Sequence, residues 1–222
     1  MKKTDIHLHL TFEQHPKTEH MFVSSAEHML PHLRELSIEK GILMSSGEGN
    51  SAVPFGSNDE CRQIAEAFPG IYFWMCNLDD VPENIFERLE TYKNQGAVGI
   101  GELMINRSID DPMIQEIFAA AETLSLPVLF HMSPEVGYEY GIVDDAGLPL
   151  LEESLKKYPN LKFIGHSQPF WHEISGDASG DLSSRMEWGK GEVAPGGRLS
   201  YLFDTYPNLY GDLSANSGGC AI

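Results

Sequence analysis

The first strand-like run of the chain, Thr4-Asp5-Ile6-His7-Leu8-His9-Leu10, sets two histidines at i and i+2. Alternate side chains of a β-strand face opposite sides, so His7 and His9 point one way while Ile6, Leu8 and Leu10 point the other. Two imidazoles on one strand face make a metal clamp, because imidazole is the commonest protein ligand for transition cations. The plain alternative is a strand whose polar face carries two histidines. The rest of the chain favours the clamp, since Glu102, His131 and His166 each follow a short apolar run. A carboxylate at Glu102, after Gly99-Ile100-Gly101, costs several kcal/mol if buried without a cation or a donor. Taken singly, His131 (after Val128-Leu129-Phe130) and His166 (after Phe163-Ile164-Gly165) are hydrogen-bonded core histidines before they are ligands. Four such residues in one strand-end register make coincidence a poor explanation.

The elements that must position these residues alternate strand and helix, the signature of βα units and a parallel sheet. The pattern predicts seven strands: Thr4–Leu10, Lys40–Ser45, Ile71–Asn77, Ala97–Leu103, Pro127–Met132, Leu161–Ser167 and Asn208–Ser214. Helical patterns lie between them at Ala26–Ser37, Asn58–Phe68, Pro82–Asn94, Pro112–Leu124, Leu148–Tyr158 and Pro195–Tyr206, several with Pro or Asp near the start. Pro159-Asn160-Leu161 and Pro207-Asn208-Leu209 both follow a Tyr and lead into a strand, so one helix-to-strand turn is expected twice. Polar residues fall at the C-terminal strand ends: His7 and His9, Ser45 and Ser46, Asn77, Glu102, His131, His166, Asp212 and Ser214. In a parallel barrel those ends converge on one mouth, whereas an open sheet would spread them across its width. No composition shift divides residues 1–222, which are expected to form a single barrel domain.

Composition narrows the function. A formal net charge of −18, from 33 acidic against 15 basic residues, repels phosphate backbones and anionic membranes. The expected partner is a small-molecule substrate, with no nucleic acid and no membrane; a homo-oligomer is compatible with the sequence. Cys61, Cys76 and Cys220 are odd in number and widely separated, which supports neither a disulfide framework nor a structural zinc site, and fits a reducing cytoplasm. Met1-Lys2-Lys3 runs straight into the first strand without an apolar h-region, so a cytoplasmic protein is expected. Between the sixth and seventh strands, Pro169 to Gly197 carries Phe170, Trp171, His172, Arg185, Trp188 and Lys190. Insertions of this length are usually functional or disordered, and this one is read as a substrate-covering loop. Trp171, Arg185 and Trp188 are its candidate contacts to an anionic or aromatic substrate.

Several pieces resemble the amidohydrolase superfamily of metal-dependent barrel enzymes, in particular its amidohydrolase-related branch. They are Asp5-Ile6-His7-Leu8-His9 at the first strand, Gly101-Glu102 at the fourth, Phe130-His131 at the fifth, Ile164-Gly165-His166-Ser167 at the sixth and Tyr210-Gly211-Asp212-Leu213-Ser214-Ala215 at the seventh. The resemblance implies an α/β fold, a TIM-like (β/α)8 barrel. It implies that His7 and His9 bind a divalent metal, usually zinc with manganese an alternative, and that His131 completes or bridges the site. Glu102 stands where related branches place a bridging group. His166 would bind a second metal or act as base and oxyanion partner. These enzymes carry an aspartate after an eighth strand in a Gly-Thr-Asp-like setting. This sequence stops at Ile222 without that motif, and Asp212 does not match its position, so a barrel truncated after the seventh strand is expected.

The reaction implied is hydrolysis of a small amide, lactone or ester through metal-activated water, a cation held by imidazoles lowering the pKa of bound water from about 16 to near 7. His166 and Glu102 are the expected catalytic groups. The branch also resembles lyases that decarboxylate small aromatic carboxylic acids with the same cradle, and a non-catalytic metal-binding fragment is the third reading.

Overall fold

A computed structural model describes residues 2–16, 23–49, 55–138, 140–189 and 191–215. Met1, Lys190, Cys220 and Ile222, which entered the sequence reading, lie outside the described residues. The chain divides into two compact units, residues 1–81 with 90–102 and residues 82–89 with 103–222. The helix Ile85–Asn94 (α3) contributes to both.

The first unit is built on a parallel sheet of Lys3–Leu8 (β1), Ile38–Leu43 (β4) and Tyr72–Trp74 (β5), in the order β1-β4-β5. Thr4 pairs with Lys40, Leu8 with Leu43 and Leu43 with Trp74. The Cys76–Ile100 bridge ties in Ile100–Leu103 (β6), whose residues up to Glu102 belong to this unit. Leu10–Thr11 (β2) and Ser24–Ser25 (β3) form a separate short pair. The helices Ala26–Glu35 (α1) and Asn58–Ala67 (α2) begin on serine caps: Ser25 Oγ accepts the His28 N–H and Ser57 Oγ that of Glu60. Cys61 and Cys76 are buried free thiols, both pushed up to about 12 by burial, in keeping with an apolar packing role.

The second unit holds Val128–Ser133 (β7), Ile142–Val143 (β8), Phe163–His166 (β9) and Leu209–Gly211 (β10), with β9 between β10 and β7 and β8 pairing β7, all parallel. Its helices are Pro112–Leu124 (α4), Pro149–Lys157 (α5), Gln168–His172 (α6), Leu182–Arg185 (α7) and Arg198–Thr205 (α8). Asp111 caps α4 through the Met113 N–H, with Pro112 in the first helical turn. Fully buried Phe118, Phe130, Phe163 and Phe170 fill the core. Their rings meet edge to face at 5.0 Å for Phe118–Phe163 and 5.9 Å for Phe130–Phe170.

All seven predicted strands and six predicted helices are present, most trimmed by one to three residues at an end, while β1, β4 and β7 each run one or two residues past the other. The repeated turn is real: the Leu161 N–H donates to Tyr158 O at 3.2 Å, and the Leu209 N–H donates to Tyr206 O at 3.1 Å. The short strands β2, β3 and β8 have no sequence signature of their own, because two-residue strands carry no period. No helix of the described residues is long and apolar enough to cross a membrane.

Asp144 is the most instructive buried charge of the second unit. It is 1% exposed, and its carboxylate accepts the N–H groups of Asp145, Leu150 and Leu151 at 2.8, 3.1 and 2.8 Å, closing the start of α5. Burial pushes it up to about 6, with those three donors pulling the other way. A carboxyl group raised above its ordinary value near 3.8 contributes stability that is fully present below that value and lost as pH rises through 6. Acidifying from pH 7.5 to 5 is therefore expected to raise the Tm of the wild type relative to Asp144→Asn by about 2–4 °C, equivalent to roughly 1 kcal/mol. Thermal scans of both proteins at the two pH values check this. A wild-type-minus-variant difference that does not move with pH contradicts it.

Candidate metal centre

His7 stands on β1, one residue before its end, and its backbone N–H donates to Asp5 Oδ1 at 3.1 Å. The ladder of β1 stops at Leu8 and pairing resumes only at Leu10, so His9 sits at a break between strands. The two imidazoles still converge: His7 Nε2 and His9 Nε2 are 3.0 Å apart, with ring centroids at 5.0 Å. Glu102 Oε2 lies 3.5 Å from His7 Nε2 and 3.4 Å from His9 Nε2. The side chains of His7 and Glu102 are only 5% and 6% exposed, that of His9 42%, which leaves the triad one open flank.

These distances test whether a cation fits. A tetrahedral ion bonded at about 2.0–2.1 Å separates its ligand atoms by about 3.3 Å, and an octahedral ion at the same bond length by about 2.9 Å. The observed edges of 3.0, 3.4 and 3.5 Å lie in that range, and the donor set of two imidazoles and a carboxylate suits a divalent transition metal. His7, His9 and Glu102 therefore form a candidate metal-holding group.

Buried amides fix the backbone that carries Glu102. Asn77, 2% exposed, donates from Nδ2 to Glu102 O at 2.7 Å and to Ser45 O at 3.3 Å, while its Oδ1 accepts the Leu78 N–H at 2.9 Å. Asn58, the first residue of α2, accepts the Asn77 N–H and donates to Asn77 O, both at 2.9 Å. The Ser45 N–H donates to Gly101 O at 2.8 Å. One amide thus joins the segments that follow β4 and β5 to β6, and holds the ligand strand in register. Ser46 serves its own turn, Oγ donating to Phe55 O at 2.8 Å.

In the second unit His131 and His166 are register partners on β7 and β9, with ring centroids 5.4 Å apart. His166 Nδ1 lies 3.0 Å from Asp212 Oδ2 and 3.1 Å from Ser214 Oγ. Asp212 in turn accepts the Ser214 hydroxyl at 2.7 Å and the Ser214 N–H at 3.0 Å. A carboxylate accepting the Nδ1–H fixes the imidazole tautomer, so a ligand bond or proton transfer at His166 runs through Nε2. Asp212 and Ser214 ended the seventh predicted strand without a role, and in the structure they follow the end of β10. Asn58 carried no signal beyond being a polar residue behind a capping serine.

The insertion departs from the expectation of a covering loop over its first turn. Trp171 is buried, its Nε1–H donating to Asp212 O at 2.8 Å. It packs where a Cβ on Gly211 would stand 2.6 Å from the indole ring. It supports Asp212 from behind, because α6 follows β9 immediately and folds back onto the sheet. Arg185 is also buried, its guanidinium donating to Pro134 O at 3.2 Å and Asp144 O at 2.8 Å. Those bonds tie the insertion to the segments around Pro134 and Asp144. Trp188 is half-buried and lines a pocket of about 340 Å3 with Trp171, His172, Ser179 and Val193.

A family model described as Amidohydrolase matches residues 4–218. The comparison with curated proteins returns no match. Among solved structures the chain is similar to an uncharacterized TIM-barrel protein of Bordetella bronchiseptica, at 16% identity over 95% of this chain and 74% of that one, with a TM-score of 0.58. It is similar to a probable 2-pyrone-4,6-dicarboxylic acid hydrolase of Acinetobacter baumannii with citric acid bound, at 15% identity over 100% and 88%, TM-score 0.50. A third is 5-carboxyvanillate decarboxylase of Novosphingobium aromaticivorans, complexed with manganese and 4-hydroxy-3-methoxy-5-nitrobenzoic acid, at 15% identity over 77% and 67%, TM-score 0.53. At these identities the likeness is one of fold: α/β with parallel strands, of the TIM-barrel type.

The triad geometry generates a direct expectation. His7→Ala and Glu102→Gln each lower the metal content of protein purified without added metal, and lower Tm when metal is present, since binding energy realised only in the fold is lost. His15→Ala, on a residue of the loop after β2, serves as control. Elemental analysis and thermal scans decide it: metal retained at full stoichiometry in His7→Ala, or stripped by His15→Ala, refutes the assignment.

Proposed function

The chain belongs to the amidohydrolase family, and on that footing we propose that it is a metal-dependent hydrolase acting on a small amide, lactone or ester through metal-activated water. The observation that carries this reading is the close triangle of His7 Nε2, His9 Nε2 and Glu102 Oε2. A divalent cation, zinc or manganese, would lower the pKa of a bound water to near 7 and polarise a substrate carbonyl. His7 and His9 hold it as neutral ligands, and Glu102 supplies the charge that offsets the cation. His131 is assigned as a further ligand and His166 as the group that orients substrate or moves a proton, on the likeness of Phe130-His131 and Ile164-Gly165-His166 to the family's pieces. Asp212 holds the His166 Nδ1–H, so Nε2 is the nitrogen that gives or takes a proton. Trp188, lining its pocket on the insertion, remains the candidate substrate contact. The single-domain organisation of residues 1–222 and a homo-oligomeric state are proposed with this reading; a small molecule is the proposed partner and the cytoplasm the proposed location.

The second reading is non-oxidative decarboxylation of a small aromatic carboxylic acid. The manganese-containing 5-carboxyvanillate decarboxylase of similar fold favours it. The same residues would serve, with His166 delivering a proton to the ring carbon that loses its carboxylate.

Metal analysis followed by assay against a panel of lactones, esters and amides, and in parallel against aromatic acids with carbon dioxide detection, separates the readings. Hydrolysis that a chelator abolishes and added metal restores is the expected result, whereas carbon dioxide release transfers the assignment to the lyase. Protein with no bound metal and no turnover on either panel overturns both. On whichever substrate is found, Asp212→Asn is expected to lower kcat by about 10²–10⁴-fold, the usual worth of a positioned acid–base group, with metal content unchanged. A variant of undiminished kcat removes His166 from proton transfer.

A further inference from the structure

We propose that His28 and His32 on α1 form a second metal-binding site, separate from the strand-end triad, that takes a nitrogen-preferring divalent transition ion such as Ni²⁺ or Cu²⁺. The site is independent of the hydrolase reading. The two residues stand at i and i+4 of a ten-residue helix, the spacing that sets side chains one turn apart on the same helix face. Their imidazole centroids are 5.6 Å apart, with the planes at 66°. The pair His7 and His9, whose Nε2 atoms converge to 3.0 Å, has centroids at 5.0 Å and planes at 59°. The first unit therefore carries two histidine pairs of nearly the same shape, one made by strand parity and the other by the helical turn.

The surroundings of the two pairs differ in ways that decide the choice of metal. His28 and His32 are both exposed. Among the described residues, the ring contact with each other is the one interaction their imidazoles make. No carboxylate among the described residues joins them in a three-ligand group, so water fills the remaining positions of a bound ion. A site of two neutral nitrogens selects on ligand softness: imidazole suits Ni²⁺, Cu²⁺ and Zn²⁺, whereas Mg²⁺ and Ca²⁺ demand oxygen.

The helix holds both donors in place before an ion arrives. Ser25 Oγ accepts the His28 N–H at 3.3 Å, and His32 O accepts the Leu36 N–H at 3.1 Å, so the backbone of each histidine is tied at its own end of α1. Between them lies Pro31, which has no N–H to give, and the Glu27 carbonyl loses its usual helical donor. An ion held by His28 and His32 bridges the turn in which that bond is missing. Because the backbone is already formed, the second imidazole binds as an intramolecular ligand, with a gain of about 10²-fold over one imidazole alone.

The test titrates Ni²⁺ at neutral pH into metal-free wild type, His28→Ala, His32→Ala and His7→Ala, with bound metal measured by equilibrium dialysis and elemental analysis. The wild type is expected to take up one equivalent that His7→Ala keeps and that each helix variant binds about 10²-fold more weakly. Alanine suits an exposed helix position, so Tm without metal should not fall in the helix variants. Substoichiometric Cu²⁺, a paramagnetic ion, should broaden the imidazole proton resonances of both His28 and His32 in the wild type, and excess Mg²⁺ should not restore them. Full uptake by either helix variant overturns the proposal, as does broadening confined to one of the two imidazoles. An equivalent lost from His7→Ala but kept by the helix variants belongs to the triad, so the two metal assignments fail separately.

Discussion

Two imidazole nitrogens and a carboxylate oxygen held 3.0–3.5 Å from one another are lone pairs aimed at one point, an arrangement that repels itself until a proton or a cation lies among them. Much of the first unit answers to this constraint. Glu102 and His7 are removed from water, so their field is weakly screened and a cation gains the most there. The carboxylate is not left to find its own position. Asn77 reaches the main chain of Glu102 from 25 residues away, and Asn58 reaches Asn77 across a further 19. An amide in this place satisfies carbonyls that would otherwise be buried without donors, and fixes the spacing between strand ends, so site geometry and strand register are one property.

The second unit solves a related problem with other means. An imidazole that must act through one nitrogen needs the other committed, and Asp212 and Ser214 commit Nδ1 of His166. Asp212 is itself anchored through its carbonyl by the Trp171 indole and through its N–H by Gly165 O. Trp171 gains that position because Gly211 offers no side chain in its way. The chain of dependence runs from a missing Cβ to a seated indole, then to a fixed carboxylate and an oriented histidine.

The strands and helices were legible because apolar period and capping residues are local. The pair His7 and His9 was legible for the same reason, since strand parity alone puts i and i+2 together, and it survives even though the ladder breaks at His9. Glu102, His131 and His166 could be located at strand ends from the apolar runs before them. The bonds of Asn58 to Asn77 and of Asp212 to His166 could not be read, because they join segments 19 and 46 residues apart and no period links such positions. The burial of Trp171 and Arg185 could not be read either. Aromatic and cationic residues in a long insertion look alike whether they face solvent or fold back, and only tertiary packing makes that choice.

The cradle does not decide between hydrolysis and decarboxylation. Imidazoles, a carboxylate and a proton-moving histidine serve either reaction, and a fold of this kind carries many chemistries on one set of strand ends. What differs between substrates is shape and charge away from the reacting carbon, which side chains outside the strands must read. On the proposed reading Trp188, set in its pocket on the insertion, is such a side chain. On an acidic chain of net charge −18, long-range attraction gives an anionic substrate no help. On the proposed reading, discrimination then comes from short-range contact, and from the cation that the strand-end ligands would hold.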